Sequence, residues 1–148
     1  MKTVRMRRPD GGLINRNKKL RFSFNGKMYS GYEGDTLASA LLANNVILTA
    51  RSFRYHRPRG IFSAGIEECS ALVSVGEGNS QEPNVRATLQ LLYDGLIANS
   101  QSGWPSVKYS FGGITGWLSS FLPTGFYYNT FQWPHWKWYE GFVRHMAG

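Results

Sequence analysis

The densest group of side chains able to do chemistry lies at residues 51–60, RSFRYHRPRG, where Arg51, Arg54, Arg57 and Arg59 accompany His56. A guanidinium is a planar fork that meets a phosphate or a carboxylate through two parallel hydrogen bonds, and Pro58 stiffens the loop that would present it. The same arginines could instead pair with acidic groups of a partner polypeptide and simply hold the loop in place. Other reactive residue types are scattered. His56, His135 and His145 are too far apart in sequence to suggest a metal site, and no run of Asp or Glu accompanies them. Glu67 and Glu68 are adjacent, and adjacent carboxylates rarely converge on one reacting atom, so a solvated or salt-bridged loop is expected there. Ser63 sits in no nucleophile-elbow motif, and Cys69, the one cysteine, reads as a packed or loop thiol. No catalytic residue and no metal ligand is therefore assigned.

The 148 residues suffice for one domain with a core, or for a domain and an ordered extension, and exclude two full catalytic domains. A hydrophobic content of 42% with 18% charged residues describes a sequence that folds. A single cysteine excludes an intrachain disulfide framework and any site built from several thiolates. The formal net charge of +8 invites a nucleic-acid reading, yet eight of the 17 Lys and Arg fall in the first 21 residues, an arm with a Pro-Asp-Gly-Gly break. That arm reads as a solvated or partner-bound tail, and it lacks the apolar stretch of a signal peptide. Residues 109–136 carry no Lys, Arg, Asp or Glu, but Gly112, Gly113, Gly116, Pro123, Gly125 and Pro134 argue against a spanning helix. A cytoplasmic protein with neither membrane nor nucleic-acid partners is expected.

Between the arm and the aromatic tail the elements follow from local signals. Residues 20–32, LRFSFNGKMYSGY, hold two extended runs around Asn25-Gly26, a hairpin signal because both central positions need positive φ. Asp35 or Thr36 can cap a short helix whose Leu37, Leu41 and Leu42 share a face, and Asn44-Asn45 should end it. A brief β-prone run at 46–49 precedes the basic loop. Strands are then expected at 71–75, at 85–93 after a break at 79–83, and at 96–100 after an Asp94-Gly95 turn. One helix on a small mixed sheet in this order is an α+β arrangement of the β-grasp type.

Fourteen of the 22 aromatic residues lie in the last 45 positions, more ring surface than a small sheet can hide. Aromatic anchors are enriched where one protein surface buries another, so this segment reads as an extension lying across a partner or across the rest of a larger enzyme; burial on the chain's own core is the alternative. The expected division is a basic arm at 1–19, a β-grasp domain at 20–103 and an aromatic-rich, irregular docking extension at 104–148.

The stretch RPRGIFSAGIEECSALVSV at 57–75, followed by Arg86-Ala87-Thr88 and Asp94-Gly95-Leu96, resembles the cluster loop of plant-type [2Fe-2S] ferredoxins. There, three thiolates at C-x4-C-x2-C precede a strand and a fourth arrives later. With the strand in register, Ser63, Glu68 and Ala71 stand where the first three would be and Thr88 where the fourth would be. Cys69 falls one residue out of register. Together with FNGKMYSGYEGDTLASALLANNV, RSFRYHRPRGIFSAGIEE, EPNVRATLQLLYDGLIANSQSGWPS and FLPTGFYYNTFQWP, the chain resembles the N-terminal region of the alpha subunit of heterotetrameric sarcosine oxidase over roughly residues 21–134.

The resemblance implies a ferredoxin-like domain without its cluster, inside a hetero-oligomer that oxidatively demethylates sarcosine or a related secondary amine at a flavin. It implies FAD, FMN and NAD in the assembled complex and no cofactor in this chain, which has no GxGxxG of its own. The expected partners are the remaining alpha-type polypeptide and the flavin-binding subunits. Arg57 and Arg59 would then face a dinucleotide on a neighbouring domain. Two other classes remain for comparison. A basic single-strand-binding module would need aromatics interleaved with cations, which residues 109–136 lack. An iron-sulfur electron carrier would need more thiols than the chain has.

Overall fold

The computed structural model describes residues 6–52, 56–101, 103, 106–109 and 135–141. Most of the segment expected to be an aromatic extension, and Arg54 and His145, lie outside the described residues.

Strands β1 (Asn15–Phe24) and β2 (Lys27–Glu33) form the expected hairpin. Asn25 and Gly26 take φ of 51° and 72°, the conformation that lets a two-residue turn follow the right-handed twist of its strands. Along β1, Leu20, Phe22 and Phe24 alternate inward with a period of two and are buried. The Asn25 side chain also reaches the last strand, β7 (Leu96–Ser100), accepting from the Ser100 N–H at 2.8 Å. That strand runs parallel to β1, with Phe22 opposite Leu96 and Phe24 opposite Ala98. Between them in sequence come β3 (Ala50–Arg51), β4 (Pro58–Arg59), β5 (Leu72–Val75) and β6 (Glu82–Arg86). The main sheet has the order β2-β1-β7-β5-β6, mixed because only β1 and β7 are parallel, and β3 pairs with β4 separately. Helix α1 (Leu37–Ala43) supplies Leu37, Ala38, Ala40 and Leu41 to the core with Phe22, Val73 and Leu96. This is a sheet-rich domain of the ferredoxin-like, β-grasp kind.

Four local expectations are corrected. First, β1 begins at Asn15, inside the basic arm, and Arg7 from the same arm donates to the buried Asp35 at 2.7 Å while stacking over the Tyr32 ring. This part of the arm is folded onto the domain because a buried carboxylate needs a counter-charge. Second, the β-prone run at 46–49 is not itself a strand: its last residue, Thr49, donates its N–H to the Arg59 carbonyl at 3.0 Å, and the strand begins at Ala50, with Ala50 opposite Arg59 and Arg51 opposite Pro58, so the basic loop contains a short antiparallel bridge. Third, β6 starts within the expected break, with Pro83 accommodated because β6 is an edge strand. It also stops at Arg86, and the continuation to Tyr93 is not a strand. Its backbone is diverted to the start of α1: Gln90 and Ala87 carbonyls accept from Leu37 and Ala38 N–H at 2.8 Å each, donors that a helix cannot satisfy internally. Fourth, Leu42 is only partly buried and Ala40 takes the core position.

Thr36 is the N-cap, exchanging hydrogen bonds with Ser39 in a capping box, while Asp35 accepts from Tyr32 N–H and Ser39 Oγ. Among the described residues no helix is long and apolar enough to cross a membrane.

The helix approaches β2 at Gly31, where an added Cβ would strike the Leu92 side chain and stand 3.1 Å from the Ala40 Cβ. A Gly31→Val variant is expected to lose about 1–3 kcal/mol of stability through overpacking. Urea unfolding followed by circular dichroism measures it, and an unchanged midpoint would contradict this packing.

Candidate cluster-loop site

The chain between β4 and β5 folds around the side chain of Glu68. This carboxyl group is 1% exposed and accepts four backbone N–H groups: Oε2 from Phe62 at 2.7 Å and Ser63 at 2.8 Å, Oε1 from Ser70 at 2.6 Å and Ala71 at 3.1 Å. Burial by itself would raise its pKa, since the charged form loses water. The four N–H donors together outweigh that cost and hold the group below the ordinary glutamate value. Two further hydrogen bonds fix the loop from outside, and one glycine bend shapes it. Thr88 Oγ1 donates to the Gly65 carbonyl at 2.7 Å, Arg86 Nε donates to the Glu68 carbonyl at 3.2 Å, and Gly65 takes φ of 92°, a bend that favours glycine.

The solvated or salt-bridged pair expected at Glu67 and Glu68 is therefore half wrong. Glu67 is exposed, but Glu68 is buried and held by backbone amides. Sequence reading missed this because the donors are backbone groups, which carry no residue-type signature. Ser63 and Ala71 contribute their N–H groups to the same carboxylate, and Thr88 closes over the loop, so the structure brings together all four positions picked out by spacing. Cys69 next to them is an exposed, free thiol.

The arginine loop is built differently. Arg51 is partly buried and donates to three backbone carbonyls, Val107 at 2.5 Å, His56 at 2.7 Å and Lys108 at 3.3 Å. Its fork is committed inside the chain, which removes it from the candidate ligands for an external phosphate. His56 is buried with φ of 48°, at a turn in which Ser52 Oγ accepts from the Arg57 N–H at 2.9 Å. Arg57 and Arg59 are exposed, and Arg59 reaches Ser70 Oγ at 3.4 Å, beside the Glu68 loop. His135 is exposed and remote in sequence from the other described histidine. Among the described residues no group of three or more His, Cys, Asp or Glu could hold a metal ion. A concavity bordered by Asn25, Tyr29, Ile47 and Val107 has no carboxylate or histidine among its described lining residues to act as an acid or base.

Residues 17–103 match the 2Fe-2S iron-sulfur cluster binding domain family, and the chain belongs to it. More particularly, it is homologous to the N-terminal domain of the sarcosine oxidase alpha subunit. It is 55% identical over 145 residues to "Sarcosine oxidase subunit alpha" of Rhizobium meliloti (strain 1021), covering 96% of this chain and 15% of that protein. With the protein of the same name from Corynebacterium sp. (strain U-96) it shares 43% over 96 residues, 63% of this chain and 10% of that one. A solved structure, that of L-proline dehydrogenase from P. horikoshii, aligns with a TM-score of 0.47 at 30% identity over 59% of this chain and 16% of its own. The chain thus spans about 15% of the length of the first of these relatives.

The family's cluster is held by four thiolates. The residues at the corresponding positions are a hydroxyl, a carboxyl, a methyl and a second hydroxyl, and the carboxylate among them takes up the backbone N–H groups of Ser63 and Ala71. This donor set does not fit the cluster.

Because the native pKa of Glu68 is lowered, its contribution to stability is complete above the ordinary glutamate value of about 4.3 and is lost as pH falls through the lower native value. A Glu68→Gln variant turns amide hydrogens toward two backbone donors, and should lose about 2–4 kcal/mol at pH 7. The gap between it and the parent protein should narrow below pH of about 4. Thermal melts of both proteins from pH 7 to 3 check this, and a gap that stays constant with pH would contradict an ionised Glu68.

Proposed function

We propose that this chain is a noncatalytic, structural part of a flavin-dependent complex that oxidises sarcosine or a related secondary amine, with FAD, FMN and NAD carried by its partners. The observation that carries the noncatalytic reading is the Glu68 carboxylate, which fills the loop where an electron-carrying cluster would otherwise lie. The amine-oxidising context is supported by the similarity to sarcosine oxidase alpha subunits. A docking role is supported by the outer surface of the same region, where Phe62, Ile66 and Leu89 are 80%, 67% and 50% exposed. In such an assembly the partners are the remaining alpha-type polypeptide and the flavin-binding subunits. In this reading Arg57 and Arg59, both exposed and the latter bonded to Ser70 of the same loop, meet an acidic group of a partner or the phosphates of its dinucleotide.

The chain, affinity-tagged in its native source, should copurify with a flavin-containing polypeptide and with sarcosine-dependent reduction of that flavin. Isolated, it should bind neither FAD nor NAD in a titration. Tight, saturable binding of either by the isolated chain, or submicromolar binding of single-stranded oligonucleotides at physiological salt, would defeat this reading.

In the assembled complex, Arg57→Gln with Arg59→Gln separates the two arginine roles. Loss of dinucleotide with assembly intact identifies a phosphate contact. Full cofactor content with weakened assembly, read by size-exclusion chromatography and flavin absorption, identifies contacts with acidic protein groups.

A further inference from the structure

The loop around Glu68 has the features of an anion-binding nest rather than of an ordinary connection. Four backbone N–H groups, from Phe62, Ser63, Ser70 and Ala71, converge from two directions on one small region. The donors belong to segments on either side of Glu68, so neither a helix terminus nor a single turn explains their convergence. The negative charge they meet is 1% exposed and has no cationic partner among the ion pairs of the described residues. Arg86, the cation bonded to this residue, donates to the backbone carbonyl of Glu68 and not to its carboxylate. Amide dipoles therefore carry the compensation.

Two of the four donors come from Ser63 and Ala71, which flank the carboxylate at five and three residues' distance in sequence, the spacing of the family's first three sulfur ligands. A cluster with its thiolates is anionic, and a loop shaped around it offers N–H groups to its sulfurs. The same donors here meet two carboxylate oxygens.

We infer that Glu68 is an intramolecular anion that replaces the cluster as the template of this loop, and that the emptied nest would take a small monocarboxylate such as formate or acetate. Its side chain does for the loop what a bound group would do: it satisfies the N–H donors and supplies the charge they favour. The inference rests on the same Glu68 loop as the noncatalytic reading but not on the amine-oxidising context, which the copurification experiment tests separately.

The test is chemical rescue of Glu68→Ala in the full chain. The variant removes the carboxylate and leaves space and four unpaired donors. In sodium formate its thermal midpoint should rise saturably by about 3–7 °C beyond its rise in sodium chloride of equal ionic strength, the shift expected at roughly ten times the dissociation constant. The parent protein and Glu68→Gln, whose nests are filled, should show no such difference. A variant as stable as the parent, or a formate effect shared by all three proteins, would overturn the inference.

Should Glu68→Ala not fold in dilute buffer, the readout becomes its refolding yield in formate against chloride, and equal yields overturn the inference. Glu68→Gln gives a second, residue-level measurement by amide hydrogen exchange. The amides of Phe62, Ser63, Ser70 and Ala71 should exchange slowly in the parent, and two of the four should accelerate at least about tenfold in the variant. Equal protection in both proteins would show that the carboxylate does not organise the loop.

Discussion

A carboxylate removed from water stays ionised only where other donors replace the water, and a backbone N–H turned away from solvent must likewise find an acceptor. Around Glu68 these two requirements solve each other. The loop between β4 and β5 cannot satisfy its inward N–H groups by helix or sheet pairing, because they point at a common centre and not at neighbouring strands. Without an acceptor at that centre, the two buried donors of Ser70 and Ala71 would be left unpaired at about 1–3 kcal/mol each, and the partly buried donors of Phe62 and Ser63 would lose their partner too. With the carboxylate in place the loop has one favoured path.

That path is tied to the rest of the fold through a few contacts. Ala71, which donates to Glu68, leads directly into β5, and its carbonyl accepts from Ala87 N–H at 3.0 Å. Thr88, one residue further, holds Gly65. The segment from Ala87 to Leu92 then supplies carbonyls to the first turn of α1, while Leu92 N–H returns to the Asp35 carbonyl at 2.9 Å. Asp35 in turn anchors the helix start, the end of β2 and Arg7. A change in the loop thus has a direct hydrogen-bonded route to the helix N-terminus. It leaves the parallel β1–β7 pairing, which is built from Phe22, Phe24, Leu96 and Ala98, on a separate footing.

The site was legible in part. Register with β5 picked out Ser63, Glu68, Ala71 and Thr88, and the structure does bring them together. What their side chains do there was not legible. Two contribute a backbone N–H, one a hydroxyl to a carbonyl, and one a carboxylate that meets only backbone N–H groups, so every one of these contacts involves main-chain atoms common to every residue type. The arginine loop shows the converse failure. Four similar cations in ten residues looked like one charged surface, yet Arg51 is turned inward onto carbonyls of residues more than 50 positions away, whereas Arg57 and Arg59 face solvent. Sequence spacing cannot separate these fates, since the carbonyls that select Arg51 arrive through the tertiary fold.

By itself the sequence determined the short-range devices: the Asn25-Gly26 turn, the capped helix ending at Asn44, the alternation along β1 and the Asp94-Gly95 turn into β7. Each depends on conformational limits or periodicities that act over a few residues, so local identity suffices. The tertiary structure alone decided where β6 ends, why the N-terminal arm is held, and that Glu68 is the centre of its loop. In each case a buried donor, acceptor or charge needs a partner, and that partner is brought near only when distant parts of the chain have folded together.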